Sequence, residues 1–128
     1  MTNQEIVSYW IQSSDRDYKT MLHLYETKDY CWSLFLGHLV IEKLLKSFYC
    51  KNIGTVSPKI HNLYRIAELS NLEISDEHKE VLVTLTTFNI RARYDDYKQK
   101  FHKKCTESYT KSWIDKIRVY RKWLKERQ

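Results

Sequence analysis

Two glycines and one proline in 128 residues leave this chain few places where the backbone can turn sharply. A sheet protein needs many turns, whereas long helices joined by short links need few. The fold class expected is therefore all-α, an up-and-down antiparallel bundle of four to five helices. At this length a single domain over residues 1–128 can bury a core without disulfides or a structural metal.

The hydrophobic pattern divides the chain into those helices. Thr2 with Glu5 forms a capping-box pattern, and Ile6, Trp10, Ser13, Asp17, Met21 and Leu24 follow at helical spacing, which predicts a helix over about 3–26. Asp29 starts a second helix that stops before Asn52-Ile53-Gly54. It is apolar around much of its circumference, through Phe35, Leu39, Leu44, Leu45 and Phe48, as the most buried member of a bundle would be. Ser57 as N-cap and Pro58 at the first helical position predict a third helix ending near Ser70. Ser75-Asp76-Glu77 opens a fourth over about 76–97, and Tyr109, Trp113, Ile117, Tyr120 and Leu124 mark a fifth near 106–126. Lys98 to Cys105 is expected to be a basic, mobile connection.

Charge is uneven along the chain. Residues 98–128 hold eleven Lys and Arg against three acids, so the overall +6 belongs to the C-terminal element. Lys111, Arg118 and Lys122 on the polar faces of the last helix are candidate phosphate contacts, with a merely solvated face as the alternative. Most of the aromatic residues interleaved with them fall on the apolar stripe, which weakens the case for base stacking. Cys31, Cys50 and Cys105 are an odd, widely spaced set with no zinc-like spacing, so reduced thiols are expected. No apolar run approaches the roughly 20 residues that cross a bilayer, and the first residues lack a signal-peptide pattern. A soluble, cytoplasmic protein without membrane contact is the expectation.

Polar groups interrupt apolar helices at three separated places: Glu42-Lys43-Leu44-Leu45-Lys46, Pro58-Lys59-Ile60-His61, and Arg91-Ala92-Arg93-Tyr94. Burying such groups costs several kcal/mol unless they are paired, so they are expected to meet one another, a ligand or a partner. Glu42 and Lys46 suit an intrahelical pair. Alternatively Glu42 reaches Arg93 or His61 on neighbouring helices and lines one end of a groove. His38 with Glu42 fits an i, i+4 metal pair, but no third ligand is evident and no metal or other cofactor is expected. His61, read as lying just inside a helix start, suits capping or packing better than base catalysis.

The order of these elements resembles the HEPN domain family. The family's aromatic and acidic positions in the first helix correspond to Trp10 and Asp17. Its tyrosine-led second helix corresponds to Tyr30 through Glu42, Lys43, Leu45 and Lys46, its His-x-Leu element to His61 and Leu63, and its Arg-Tyr end to Arg93-Tyr94. The usual Arg-Tyr-Pro-Asp ending reads Arg93-Tyr94-Asp95-Asp96 here. Ribonuclease members carry an Arg and a His separated by four to six residues near the end of the bundle. From Arg91 and Arg93 those positions hold no histidine, and the one match, Arg16 with His23, lies in the first helix at a frequency that chance explains.

The resemblance instead implies the class that lacks this motif and accompanies a minimal nucleotidyltransferase. In that class the helical chain would be the non-catalytic, nucleotide-binding or partner-binding component of a two-component, toxin–antitoxin-like system. It implies a homodimer, with Glu42, Lys46, His61, Arg93 and Tyr94 as the binding cluster and no catalytic residue. Asp95 and Asp96 are adjacent on a helix, diverging by about 100°, and so cannot supply the transferase's paired carboxylates. Two alternatives stay open: a divergent, metal-independent ribonuclease toxin acting on RNA through Arg91 or Arg93 with His102, and a purely structural interaction module.

Overall fold

The structure, a computed structural model, describes residues 1–128 as six helices with no strand. They are α1 (Asn3–Glu26), α2 (Tyr30–Asn52), α3 (Leu63–Leu69), α4 (Asp76–Arg93), α5 (Asp95–Lys104) and α6 (Glu107–Glu126). The all-α class holds, but the count exceeds the four to five expected.

α1 begins where its capping box requires. The Glu5 amide donates to the Thr2 hydroxyl at 3.1 Å, and the Thr2 amide donates back to the Glu5 carboxylate at 3.3 Å. A three-residue turn returns the chain into α2, and the two helices pair along their length. Small side chains permit the close approach: the buried Ser14 hydroxyl donates to the Val40 carbonyl at 2.8 Å, and that of Ser33 to the Met21 carbonyl at 2.8 Å. Lys43 closes the same interface, 2.6 Å from the Asp17 carboxylate and 2.8 Å from the Ser13 hydroxyl.

α2 is the hub, with α3, α4 and α6 packed around it. Its Leu34, Val40, Ile41, Leu44 and Leu45 are fully buried, each worth about 1.5–3 kcal/mol of apolar transfer. Gly37 marks a close approach, because a Cβ there would overlap Cδ1 of Ile117 and come within 3.2 Å of the Met21 sulfur. α6 buries Trp113, Ile117, Tyr120 and Leu124 of the stripe the sequence predicts and leaves Tyr109 partly exposed, with Trp113 edge-on to Phe88 at 5.2 Å.

Two boundaries differ from expectation. α3 starts at Leu63 under an Asn62 cap, whose side chain accepts from the Arg65 amide at 3.1 Å, and not at Ser57-Pro58. The segment before it is held non-helical by long-range bonds: Nε2 of His38 to the His61 carbonyl at 3.1 Å, and the Leu63 amide to the Thr86 hydroxyl at 3.0 Å. A helix started at Pro58 would spend the His61 carbonyl inside itself. The fourth expected helix, 76–97, divides at Tyr94, whose extended backbone (φ −93, ψ 132) ends α4 and begins α5. Asp95 and Asp96 then occupy the first turn of α5 and His102, Lys103 and Lys104 its last, the charge order that the helix macrodipole favours. The stretch Lys98 to Cys105 is therefore mostly helical, anchored by fully buried Phe101 against Phe88.

Candidate functional site

Glu42 is the centre of the polar cluster. Its side chain is 5% exposed and its two oxygens serve different partners. Oε1 lies 2.8 Å from Nδ1 of His61 and 3.6 Å from Nε2 of His38, while Oε2 accepts from the Lys46 ammonium at 3.2 Å. Both readings of Glu42 thus coexist: the i, i+4 pair within α2 and the reach to His61 across the fold. His61 gets there because Ser57 to Asn62 is non-helical, which brings a side chain from the α2–α3 link back over α2.

His38 is fully buried, and burial pushes its pKa below the usual histidine range, against the opposing pull of the His61 carbonyl and the Glu42 charge. A neutral ring whose Nε2 carries the proton fits the bond to the His61 carbonyl, and it leaves buried Nδ1 without a partner. With His38 neutral, Lys46 at 3.2 Å is the partner whose full charge compensates Glu42. No group of three His, Cys, Asp or Glu side chains is arranged to hold a metal.

Arg93 and Tyr94 do not join this cluster. Arg93 binds within α4, its Nε donating to the Asn89 carbonyl at 3.0 Å and its Nη2 to the Asn89 side chain. Its guanidinium stands 5.6 Å from the Phe35 ring and 5.5 Å from the Tyr94 ring, both usable cation–π distances. Tyr94 is 53% exposed. Of the two neighbours expected for Glu42, Arg93 or His61, it meets His61 and not Arg93: the α4 end forms its own arginine–aromatic group, and Asn89 supplies the partner that the sequence pattern left unassigned.

Around Lys46 the structure opens a pocket of about 400 Å³, lined by Ile6, Tyr9 and Trp10 of α1, Lys46 of α2, and Thr55 to Lys59 of the link. Lys46 stands 5.5 Å from the centre of the Trp10 ring, and Tyr9 and Trp10 contact each other edge to face at 5.3 Å. Lys59 contributes an exposed second cation. A half-exposed Tyr9 and a partly buried Trp10 beside two lysines are equipped to stack a base and to neutralise a phosphate. Spacing along the chain hid this site, since its walls come from both helices of the hairpin and from a non-helical link; Trp10 with Lys46 was the available signal.

The basic face of α6 is largely engaged. The Arg118 guanidinium donates from Nε to the Tyr18 hydroxyl at 2.9 Å, and Arg121 and Lys125 share the Asp15 carboxylate at 3.0 and 2.8 Å. Burial raises the Asp15 pKa, but the two cations together hold it below the usual carboxylate range. Lys111 pairs with Asp115 at 3.1 Å, and Lys122 is exposed. Of the three candidate phosphate contacts, Lys122 is the one with neither a hydrogen-bond nor an ion-pair partner in the fold. No helix is long and apolar enough to cross a membrane.

With this geometry in place, the family comparison covers nearly the whole chain: residues 7–127 match the family model described as HEPN domain. No curated protein and no solved structure matches significantly.

Proposed function

Because the chain belongs to the HEPN domain family, whose membership points to nucleotide- or RNA-related function in general, we propose that it is a non-catalytic, nucleotide-binding component that works with a separate nucleotidyltransferase chain in a two-component, toxin–antitoxin-like system. The observation that carries this reading is the Trp10–Lys46 pocket. Trp10 offers a ring face for a base, Lys46 and Lys59 offer charge for phosphates, and Glu42 holds Lys46 in place by an ion pair almost wholly out of water. Nothing in the pocket pairs a nucleophile with a base, which favours binding over chemistry.

Homodimerisation belongs to the same reading. Val83 and Ile90 lie seven residues apart on one face of α4, and with Tyr94 and Tyr97 at the α4–α5 junction they are each about half exposed. Apolar groups left in water at helical spacing suit a second copy better than solvent. An Ile90→Asp variant should run as a monomer by light scattering if this face joins two copies.

The reading is tested by recovering tagged protein from its native host at low salt and identifying what accompanies it, and by melting the purified chain with and without nucleoside triphosphates. A co-purifying nucleotidyltransferase, together with a melting temperature that rises with nucleotide in the wild type but not in Lys46→Met, supports it. Recovery of neither partner nor any nucleotide-dependent stabilisation overturns it and favours the structural module. The ribonuclease alternative draws on one observation: Arg91 and His102 both act electrostatically on Cys31, so an arginine and a histidine do share a neighbourhood. It predicts RNA cleavage in excess chelator, abolished by His102→Ala.

A further inference from the structure

A second group of chemically active side chains lies at the opposite end of α2. Cys31 occupies its first turn and is half-buried, while Cys105, in the link between α5 and α6, is buried; both are free thiols. The Cys31 sulfur lies 4.0 Å from Nδ1 of His102 on α5, and the Cys105 thiol is near enough to bear on its charge. Cys31 and His102, with Trp32, Ala92, Lys98 and Gln99, line a pocket of about 320 Å³. Cys105 does not line that pocket, so Cys31 is the sulfur of the pair that a reagent in the pocket meets.

The surroundings favour a thiolate at Cys31. The Cys105 thiol, the largest influence, together with His102 and the Arg91 charge, outweighs burial and lowers its pKa to about 6. The positive end of α2 acts in the same direction. Cys105 is driven strongly upward by Cys31 and by burial, against the charges of Arg91 and Lys104, so it keeps its proton. Tyr109, a neighbour of Cys105, is also pushed up by burial and stays neutral, and Lys98 adds a further cation to the pocket lining. Cys50, under the α2–α3 link, is raised by burial and serves as an internal control.

We propose that Cys31 is a hydroperoxide-reactive thiol and Cys105 the thiol that resolves it. The Cys31 sulfur attacks the terminal oxygen of a hydroperoxide, the O–O bond breaks, and the departing alkoxide or hydroxide leaves as the alcohol or as water after taking a proton. Sulfur gives up two electrons and becomes a sulfenic acid. The Cys105 sulfur, losing its proton, then attacks the Cys31 sulfur; the S–O bond breaks, hydroxide leaves as water with that proton, and a disulfide forms. Overall two thiols are oxidised and one peroxide is reduced to an alcohol and water. The product ties the start of α2 to the junction of α5 and α6. Sequence gave no sign of it, because the two cysteines are far apart along the chain and share no spacing motif.

The test uses the full chain, reduced and then exposed to hydrogen peroxide, with denaturing alkylation and peptide mapping by mass spectrometry. The expected product joins Cys31 to Cys105 within one chain and leaves Cys50 free. In Cys105→Ser, dimedone should label Cys31; in Cys31→Ser, Cys105 should stay a thiol. Native iodoacetamide labelling at pH 7 should modify Cys31 about tenfold faster than Cys50, and His102→Gln, at an exposed position whose fold can be verified by circular dichroism, should slow it severalfold. Equal labelling of Cys31 and Cys50, or a peroxide-treated chain in which Cys31 and Cys105 both remain thiols, would overturn the proposal.

Discussion

The two ends of α2 treat polar chemistry in opposite ways. Toward its C-terminus, the Glu42 carboxylate is almost wholly out of water and partnered by Lys46, by His61 and by the buried ring of His38. At its N-terminus, Cys31 borders an open pocket, and its neighbours favour the charged thiolate without closing it off. Complete pairing costs a helix its reactivity and gives it a fixed register; incomplete pairing beside solvent leaves a group free to react. Gly37 lies between the two ends, against Met21 of α1 and Ile117 of α6, so one rigid rod carries both environments.

The sharpest way to break this contrast is to remove Glu42. Glu42→Ala strands the Lys46 ammonium in a nearly dry site, and chemical denaturation should show a loss of about 3–5 kcal/mol while the pocket at Cys31 keeps its labelling rate. If Glu42→Ala left stability and nucleotide or partner binding intact, the polar cluster would have no role. Gly37→Ala comes next: a methyl group there meets Ile117 and Met21 and should cost about 1–3 kcal/mol by forcing α6 outward.

A pH series sharpens the same comparison. His38 titrates below the 6.5 of an unburied histidine because it is buried, so below that pH the unfolded chain takes up a proton that the fold refuses. Stability should therefore be full above about pH 6.5 and fall on acidification toward the folded pKa, by at most about 1.4 kcal/mol per pH unit from this group. His38→Gln should flatten that slope when unfolding is followed between pH 7 and 5. The smallest effect belongs to the surface: Asp15→Asn, which releases Arg121 and Lys125, should cost below about 1 kcal/mol, and the difference should vanish in high salt.

What could be read from the chain was what local chemistry decides. The Thr2–Glu5 box, the Ser75 cap and the α6 stripe appear where residue type and spacing put them, and the pairing of Glu42 with Lys46 is a single-helix property. The failures are tertiary. Ser57-Pro58 is a sound helix start by itself, but His38 and Thr86 recruit the following backbone and Asn62 becomes the cap. The break at Tyr94 has no side-chain cap to announce it, and the 3-4 rhythm of α4 runs up to it without a signal. The basic face of α6 looked free for phosphates because Asp15 and Tyr18, its partners, lie at the other end of the sequence.

The most direct test of the binding site is an amide and indole NMR titration of the isotope-labelled chain with a nucleoside triphosphate at low salt. The Trp10 indole and the amides of Thr55, Val56, Ser57 and Lys59 should shift together and saturate, with no shift in Lys46→Met. Shifts confined to α6, or none at any concentration, would contradict a nucleotide site between α1 and α2.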